Sequence, residues 1–193
     1  MSEANPGRLH RVDPSLLDDD PFWSVVRRRH PDLDVVVLPD ASTGPDAAGP
    51  PASVDEVRRA AAALQETWRG IRPVVAEHAD PAPPSIRWQQ AEGQRCLVLK
   101  KAVTGIGQEA GTELLQRLFV HLGEQGWMLH PGGRDGLPVL RATDGQVAVE
   151  AIAGPGATVV TLTSVPLAVT SELAPEVVQA VLDDLRTEVA SWE

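Results

Sequence analysis

Apolar residues recur at helical spacing in three segments of the chain. The first begins with the capping box Ser53-Val54-Asp55-Glu56, and its apolar positions follow as Val57, Ala60, Ala61, Leu64 and Trp68. The second ends at Gly126, a suitable left-handed cap, and carries on one arc Leu114, Leu115, Leu118, Phe119 and Leu122. The third opens at Pro175 and carries on one face Val177, Val178, Val181, Leu182, Leu185, Val189 and Trp192. The pattern predicts three amphipathic helices, the first broken or kinked at Gly70 and Pro73.

Alternating and β-branched apolar runs predict strands between these helices. Ile86 and Trp88 alternate with polar residues, and a turn near Gly93 leads into the run 96–103, which predicts a hairpin with a central second strand. Further strands are predicted at 127–129, 139–143, 146–153 and 157–164. The turns between the last of these are too short for crossovers. The predicted fold is therefore α+β, a twisted and mainly antiparallel sheet with helices packed mostly on one face.

Residues 1–39 predict a separate helix-strand arm. An acidic run ending at Asp20 precedes Pro21, which is a helix start signal, and the apolar run 34–39 is typical of a strand closed by proline. Residues 40–52 are rich in Pro, Gly and Ala, which is typical of a flexible linker. The expected organisation is an arm at 1–39, a linker at 40–52 and an α+β domain at 53–193.

Charge and cysteine content narrow the classes of function. The chain has 17 basic and 27 acidic side chains and a net charge of -10, so a phosphate backbone would be repelled and nucleic acid is not the expected partner. The single cysteine, Cys96, excludes an internal disulfide, and its predicted place in a central strand is typical of an inert apolar thiol. No apolar run is long enough for a secretion signal or a membrane span, which predicts a cytoplasmic protein without membrane insertion. The excess of Arg over Lys indicates a GC-rich bacterium.

The glycines Gly105, Gly107 and Gly111 are the closest approach to a cofactor motif. They lie between a strand and a helix, where backbone amides could hold a phosphate. The following strand leads into hairpins instead of completing a parallel crossover unit, so a plain loop is the preferred interpretation and no cofactor is expected.

No catalytic or metal-binding set is readable from the spacing of reactive residues. No two of the five histidines are three to five residues apart; they are His10, His30, His78, His121 and His130. Ser164 and Ser171 have no histidine nearby in sequence, and Asp183 and Asp184 are adjacent on a helix and therefore point apart. We expect no metal, and we assign no catalytic residue.

The arm carries the predicted partner-binding residues. Aromatic and arginine side chains together are typical of interface anchors, and here they are Phe22, Trp23, Arg27, Arg28 and Arg29. The alternative interpretation of the three arginines is a solvated last turn of the helix, favoured by the helix dipole.

In size, acidity and α+β composition the chain resembles the chaperones dedicated to bacterial secretion substrates, including those of type III and type VII systems. The resemblance includes no motif, so no residue is carried over. It implies a non-catalytic, cytosolic protein-binding function, adaptor or chaperone-like, with a protein partner and the option of a homo-oligomer. The alternative is an enzyme or small-ligand sensor whose site is assembled around the 105–111 glycine loop and the 130–136 turn, with a deep polar pocket reaching His121 or His130.

Overall fold

The computed structural model describes residues 50–79, 82–91 and 93–190. The described residues belong to the second of the two units into which the chain divides, residues 45–193. The predicted arm and most of the predicted linker lie outside the described residues. The same holds for the predicted partner contacts Phe22, Trp23 and Arg27 to Arg29, and for His10 and His30.

Helices and strands follow one another along the described part of the chain as α1 (Val54–Ala76), β1 (Ser85–Ala91), β2 (Gln94–Thr104), α2 (Gly107–Glu124), β3 (Met128–Arg134), β4 (Leu137–Thr143), β5 (Val147–Ala153), β6 (Ala157–Ser164) and α3 (Leu173–Ala190). The six strands form one sheet in the order β1-β2-β6-β5-β4-β3. Every neighbouring pair is antiparallel. The fold is α+β, as the hydrophobic pattern predicts.

The capping box predicted at Ser53 starts α1. The Glu56 amide donates to Ser53 Oγ at 3.2 Å, and the Ser53 amide donates to Glu56 Oε2 at 2.8 Å. That backbone hydrogen bond, with a second from the Ser53 side chain, lowers the pKa of Glu56 from its ordinary value. The helix does not end at Gly70 or Pro73 but continues to Ala76, because Ile71 and Val75 are buried in the core. Packing of an apolar face outweighs the unfavourable propensity of those two residues.

The helices pack on one face of the sheet and form a single core with it. The register places Leu99 of β2 beside Leu162 of β6, and Leu162 beside Val149 of β5, so these side chains share a face. They belong to the same buried cluster as Leu64, Leu114 and Leu185, which come from α1, α2 and α3. Complete burial of a side chain of this size contributes roughly 1.5–3 kcal/mol. The core therefore holds α2 against the part of the sheet formed by β3 to β6.

The segment predicted as a 130–136 turn is mostly strand. His130 and Arg134 lie in β3, and only Asp135 and Gly136, with φ of 53° and 79°, form the turn to β4. Positive φ at both central residues is the type I′ pattern that joins antiparallel strands. The prediction of a turn over this whole segment was based on its glycines, and it was wrong. β3 is the last of the described strands on its side of the sheet, and proline is tolerated on such edge strands.

Candidate functional site

Helix α2 has a buried apolar face and a second, exposed one. Leu114, Leu118 and Leu122 are fully buried, whereas Phe119 and Val120 are 40% and 57% exposed. The sequence pattern placed Phe119 on the core arc, and that placement was wrong. Among the described strands the sheet ends at β3, and none of them extends beyond β3 on this side of the helix.

The exposed face of α2 borders an apolar groove, which we define as the depression between α2 and the β3–β4 hairpin. Its volume is about 380 Å³, and its apolar walls include Leu115, Phe119, Val120, Pro131, Pro138 and Leu140. Among the described lining residues, only Thr112 and Gln116 contribute polar side chains. An apolar cavity of about 150 Å³ is enough to bind benzene, so the groove has room for about two side chains of that size.

The other side of α2 forms a wide polar depression next to Val120. It is lined by Glu113, Arg117, His121, Glu124 and His78 among others. Arg117 contacts both Glu77 and His78, and His121 lies 2.9 Å from the side-chain nitrogen of Gln125. With Arg117 engaged by Glu77, carboxylates Glu113 and Glu124 give this rim an acidic character. The depression is open, in contrast to the deep pocket expected around His121.

His130, the second histidine that a polar pocket was expected to reach, is exposed on β3. Arg134 of the same strand binds Glu150 of β5 at 2.7 Å, and Arg141 of β4 binds the same carboxylate at 2.9 Å. Within the described ranges, no three His, Cys, Asp or Glu side chains are close enough together to hold a metal ion.

The glycines proposed as weak cofactor contacts have structural roles. Gly105, in the connection from β2 to α2, and Gly107, the first residue of α2, adopt φ of +79° and +63°, a conformation that other residues rarely adopt. Gly111 allows α2 to approach the sheet, because a Cβ there would lie 2.2 Å from Thr158 Oγ1. Each glycine is thus explained by the backbone or by packing.

The remaining candidate reactive groups are accounted for by burial or by hydrogen bonds. Cys96 is buried in β2, as predicted, and burial raises the pKa of its thiol. Ser164 is buried as well; its Oγ accepts from the Leu97 amide and donates to the Val165 carbonyl, both at 2.9 Å. Asp183 and Asp184 are exposed, and Asp184 accepts a hydrogen bond from Gln65 at 3.2 Å. Their burial and hydrogen bonds contribute to the stability of the fold.

Set against family models, curated proteins and solved structures, the chain gives no significant match in any of the three comparisons. No helix in the described part of the chain combines the length and the apolar character needed to cross a bilayer.

Proposed function

We propose that this protein is a non-catalytic adaptor or chaperone-like protein, and that its partner docks an amphipathic helix in the apolar groove. One observation carries the proposal: Phe119 and Val120 are exposed beside a concave apolar surface of about 380 Å³. Contiguous apolar surface of this kind marks binding sites, whereas isolated exposed apolar residues need no explanation.

The edge strand beside the groove favours a helix over an added strand as the occupant. Strand addition requires a row of free N–H and C=O groups along β3. Pro131 has no N–H to offer, and proline is one of the devices that protect a sheet edge. A docked helix satisfies its own backbone and needs only apolar contacts with Phe119, Val120 and Leu115.

Charge indicates which amphipathic helix fits. The chain carries a net charge of -10, and Glu113 and Glu124 line the depression to which Val120 also contributes. A partner helix with basic residues flanking its apolar stripe would complement this rim. Such complementarity raises association rates and weakens with salt.

The first test uses a designed cationic helical peptide with Leu on one face and Lys on the other. Val120→Asp should weaken its binding at least about tenfold, because the substitution places a charge in the apolar contact. Val54→Asp is the matched control: Val54 is an exposed valine at the start of α1, away from the groove, where aspartate suits the helix dipole. Titration calorimetry at two salt concentrations measures both variants. Equal affinity for the two variants would refute the groove as the docking surface.

A second test looks for the natural occupant. A photo-crosslinking residue at position 120 should trap a discrete protein in the native host, and the same residue at position 54 should not. Peptide mapping of the product should place the crosslink in an amphipathic segment of the trapped protein. A product that consists only of two copies of this chain would contradict the adaptor function and assign the groove to self-association.

The arm residues Phe22, Trp23, Arg27, Arg28 and Arg29 stay proposed partner contacts as well, on their composition alone. Deleting residues 1–39 should reduce capture of the crosslinked partner, with cooperative melting of the remainder retained. Unchanged capture would restrict the partner surface to the groove.

A further inference from the structure

Strand β1 lies at the opposite end of the described sheet from β3 and, among the described strands, has a neighbour on one side only. It pairs with β2 residue by residue over its whole length, from Ser85 opposite Lys100 to Ala91 opposite Gln94. No proline and no bulge interrupts β1, whereas β3 contains Pro131. The backbone N–H and C=O groups along such an edge are a template for a further strand. Of the two edges of the described sheet, β1 is therefore the one suited to strand addition.

The two faces of β1 differ in character. On the face covered by the helices, Ile86 is buried and Trp88 is half-buried, with its indole N–H donating to the Ala174 carbonyl of α3 at 2.8 Å. Arg87 lies between these two residues, so it faces the other side of the sheet, and it is exposed. The side chains of a strand added beside β1 would alternate in the same way, next to Trp88 and next to Arg87 in turn.

The face of the sheet that carries Arg87 is positively charged at this end. Lys100 of β2 is a diagonal neighbour of Arg87, because Arg87 pairs with Val98. Both cations are exposed, and within the described structure neither side chain has a hydrogen-bond or ion-pair partner. The described residues of β1, β2 and β6 place no carboxylate on this face. Glu150 of β5, on the next strand, is already bound by arginines of β3 and β4.

We propose that an extended, acidic segment of a partner protein adds to the sheet as a strand beside β1. Its backbone forms hydrogen bonds with the outer edge of β1, which is an established mode of peptide recognition. Its acidic side chains lie next to Arg87 and within reach of Lys100, and its apolar side chains lie next to Trp88. This surface is independent of the apolar groove, which lies at the other end of the sheet.

Charge favours such a partner over a second copy of this chain. Antiparallel pairing of two β1 strands would place Arg87 and Lys100 of both copies on one face of the joined sheet. Like charges that are close together on neighbouring strands destabilise their pairing, and opposite charges stabilise it. An acidic strand converts the same two cations from a source of repulsion into a source of attraction.

The probe is a peptide of alternating Glu and Val with the seven-residue length of β1. Calorimetric titration of the full chain should show saturable binding of one peptide with a Kd of about 1 mM or tighter. The affinity should fall as salt is added, because the charges involved are exposed. A peptide with Lys in place of every Glu keeps the β-forming pattern and should bind at least about fivefold more weakly.

N-methylation of the peptide distinguishes strand addition from attraction between charges alone. Successive N–H groups of an extended strand point to opposite edges, so every second amide of the peptide faces β1. Two variants of the Glu/Val peptide, methylated on the Glu amides or on the Val amides, have the same charge. One of these patterns should abolish binding, and the other should retain it.

Matched variants of the protein locate the surface. Arg87→Glu should lower the affinity for the Glu/Val peptide about tenfold, because it replaces an attraction by a repulsion. Arg58→Glu makes the same change at an exposed position of α1 and should leave the affinity unchanged. Lys100→Glu should weaken binding several-fold. Thermal melts of each variant confirm folding before titration.

Four results would overturn the proposal. The first is no saturable binding of the Glu/Val peptide to the unmodified chain. The second is equal affinity of the Arg87→Glu and Arg58→Glu proteins. The third is an equal effect of the two methylation patterns, which would leave attraction between charges without strand pairing. The fourth is loss of binding in Val120→Asp, which would assign the peptide to the apolar groove.

Discussion

Replacing Gly111 by alanine should destabilise the protein, and the loss should disappear when Thr158 is also replaced by alanine. Helix α2 crosses the sheet at Gly111, where an added Cβ would lie 2.2 Å from Thr158 Oγ1 and 3.1 Å from Ala153 Cβ. Thr158 is fully buried, and its neighbours on β5 and β2 fix its backbone. The hydroxyl cannot simply move aside into solvent.

Two opposing effects set the magnitude. Alanine is better than glycine inside a helix by about 1 kcal/mol. Overpacking a well-filled core costs typically 1–3 kcal/mol, and a 2.2 Å contact belongs at the upper end of that range. The single variant Gly111→Ala should therefore lose about 2 kcal/mol. In the Thr158→Ala background the clash with Oγ1 is removed, and Gly111→Ala should become neutral or slightly stabilising, which gives a coupling energy of about 2–3 kcal/mol.

The assay is urea unfolding of the four proteins of this double-mutant cycle, with comparable m-values as the condition for comparing their free energies. The state of the hydroxyl simplifies the interpretation: within the described structure, Thr158 Oγ1 is buried and has no hydrogen-bond partner. Its removal therefore breaks no hydrogen bond. An equal loss from Gly111→Ala in both backgrounds would refute the packing argument, and it would reopen the question of a ligand at this glycine.

Other expected outcomes concern the caps, the thiol and a tryptophan. The pKa of Glu56 is lowered in the folded state, so its stabilisation is complete above the ordinary value of 4.5 and is lost as pH falls through the lower folded value; melting temperatures of Glu56→Gln should accordingly converge with those of the unmodified chain in acid and fall below them near neutrality. Cys96 should react with iodoacetamide at least roughly tenfold more slowly in the native chain than in urea, and equal rates by mass spectrometry would contradict its burial. Trp88→Phe removes the indole hydrogen bond to the Ala174 carbonyl, 2.8 Å long, and should lower the free energy of unfolding by about 1–2 kcal/mol in urea titrations.

Local sequence signals predicted most of the helices and strands because each of them keeps one hydrophobic period, helical or alternating, along its length. The capping box at Ser53 and the left-handed cap at Gly126, with φ of +81°, are satisfied by residues close in sequence. β3 and the end of α1 were predicted wrongly because they depend on contacts between residues that are distant in sequence. Whether Pro131 is tolerated depends on its place at the sheet edge, and whether the helix continues past Pro73 depends on the burial of Val75. Neither property is local.

The candidate sites were beyond local signals altogether. Phe119 has the same helical spacing as the core leucines, but it lies beside β3, where the described sheet ends, and is exposed. The groove beside Phe119 is completed by Pro131 and Pro138 of the β3–β4 hairpin, which are distant from α2 in the pattern of the sequence. Only the tertiary structure brings these residues together.

The strand order also has a consequence for how the described domain folds. The sheet consists of two groups of strands in which each strand pairs with its neighbour in sequence: β1 with β2, and β3 through β6. They are joined in the middle of the sheet, where Val98 meets Thr163 and Leu99 meets Leu162. Pairing β2 with β6 closes the long loop that runs through α2 and β3 to β5, and closing a loop of this kind slows folding. We therefore expect β2 and β6, the buried central strands of the folded sheet, to pair last during folding.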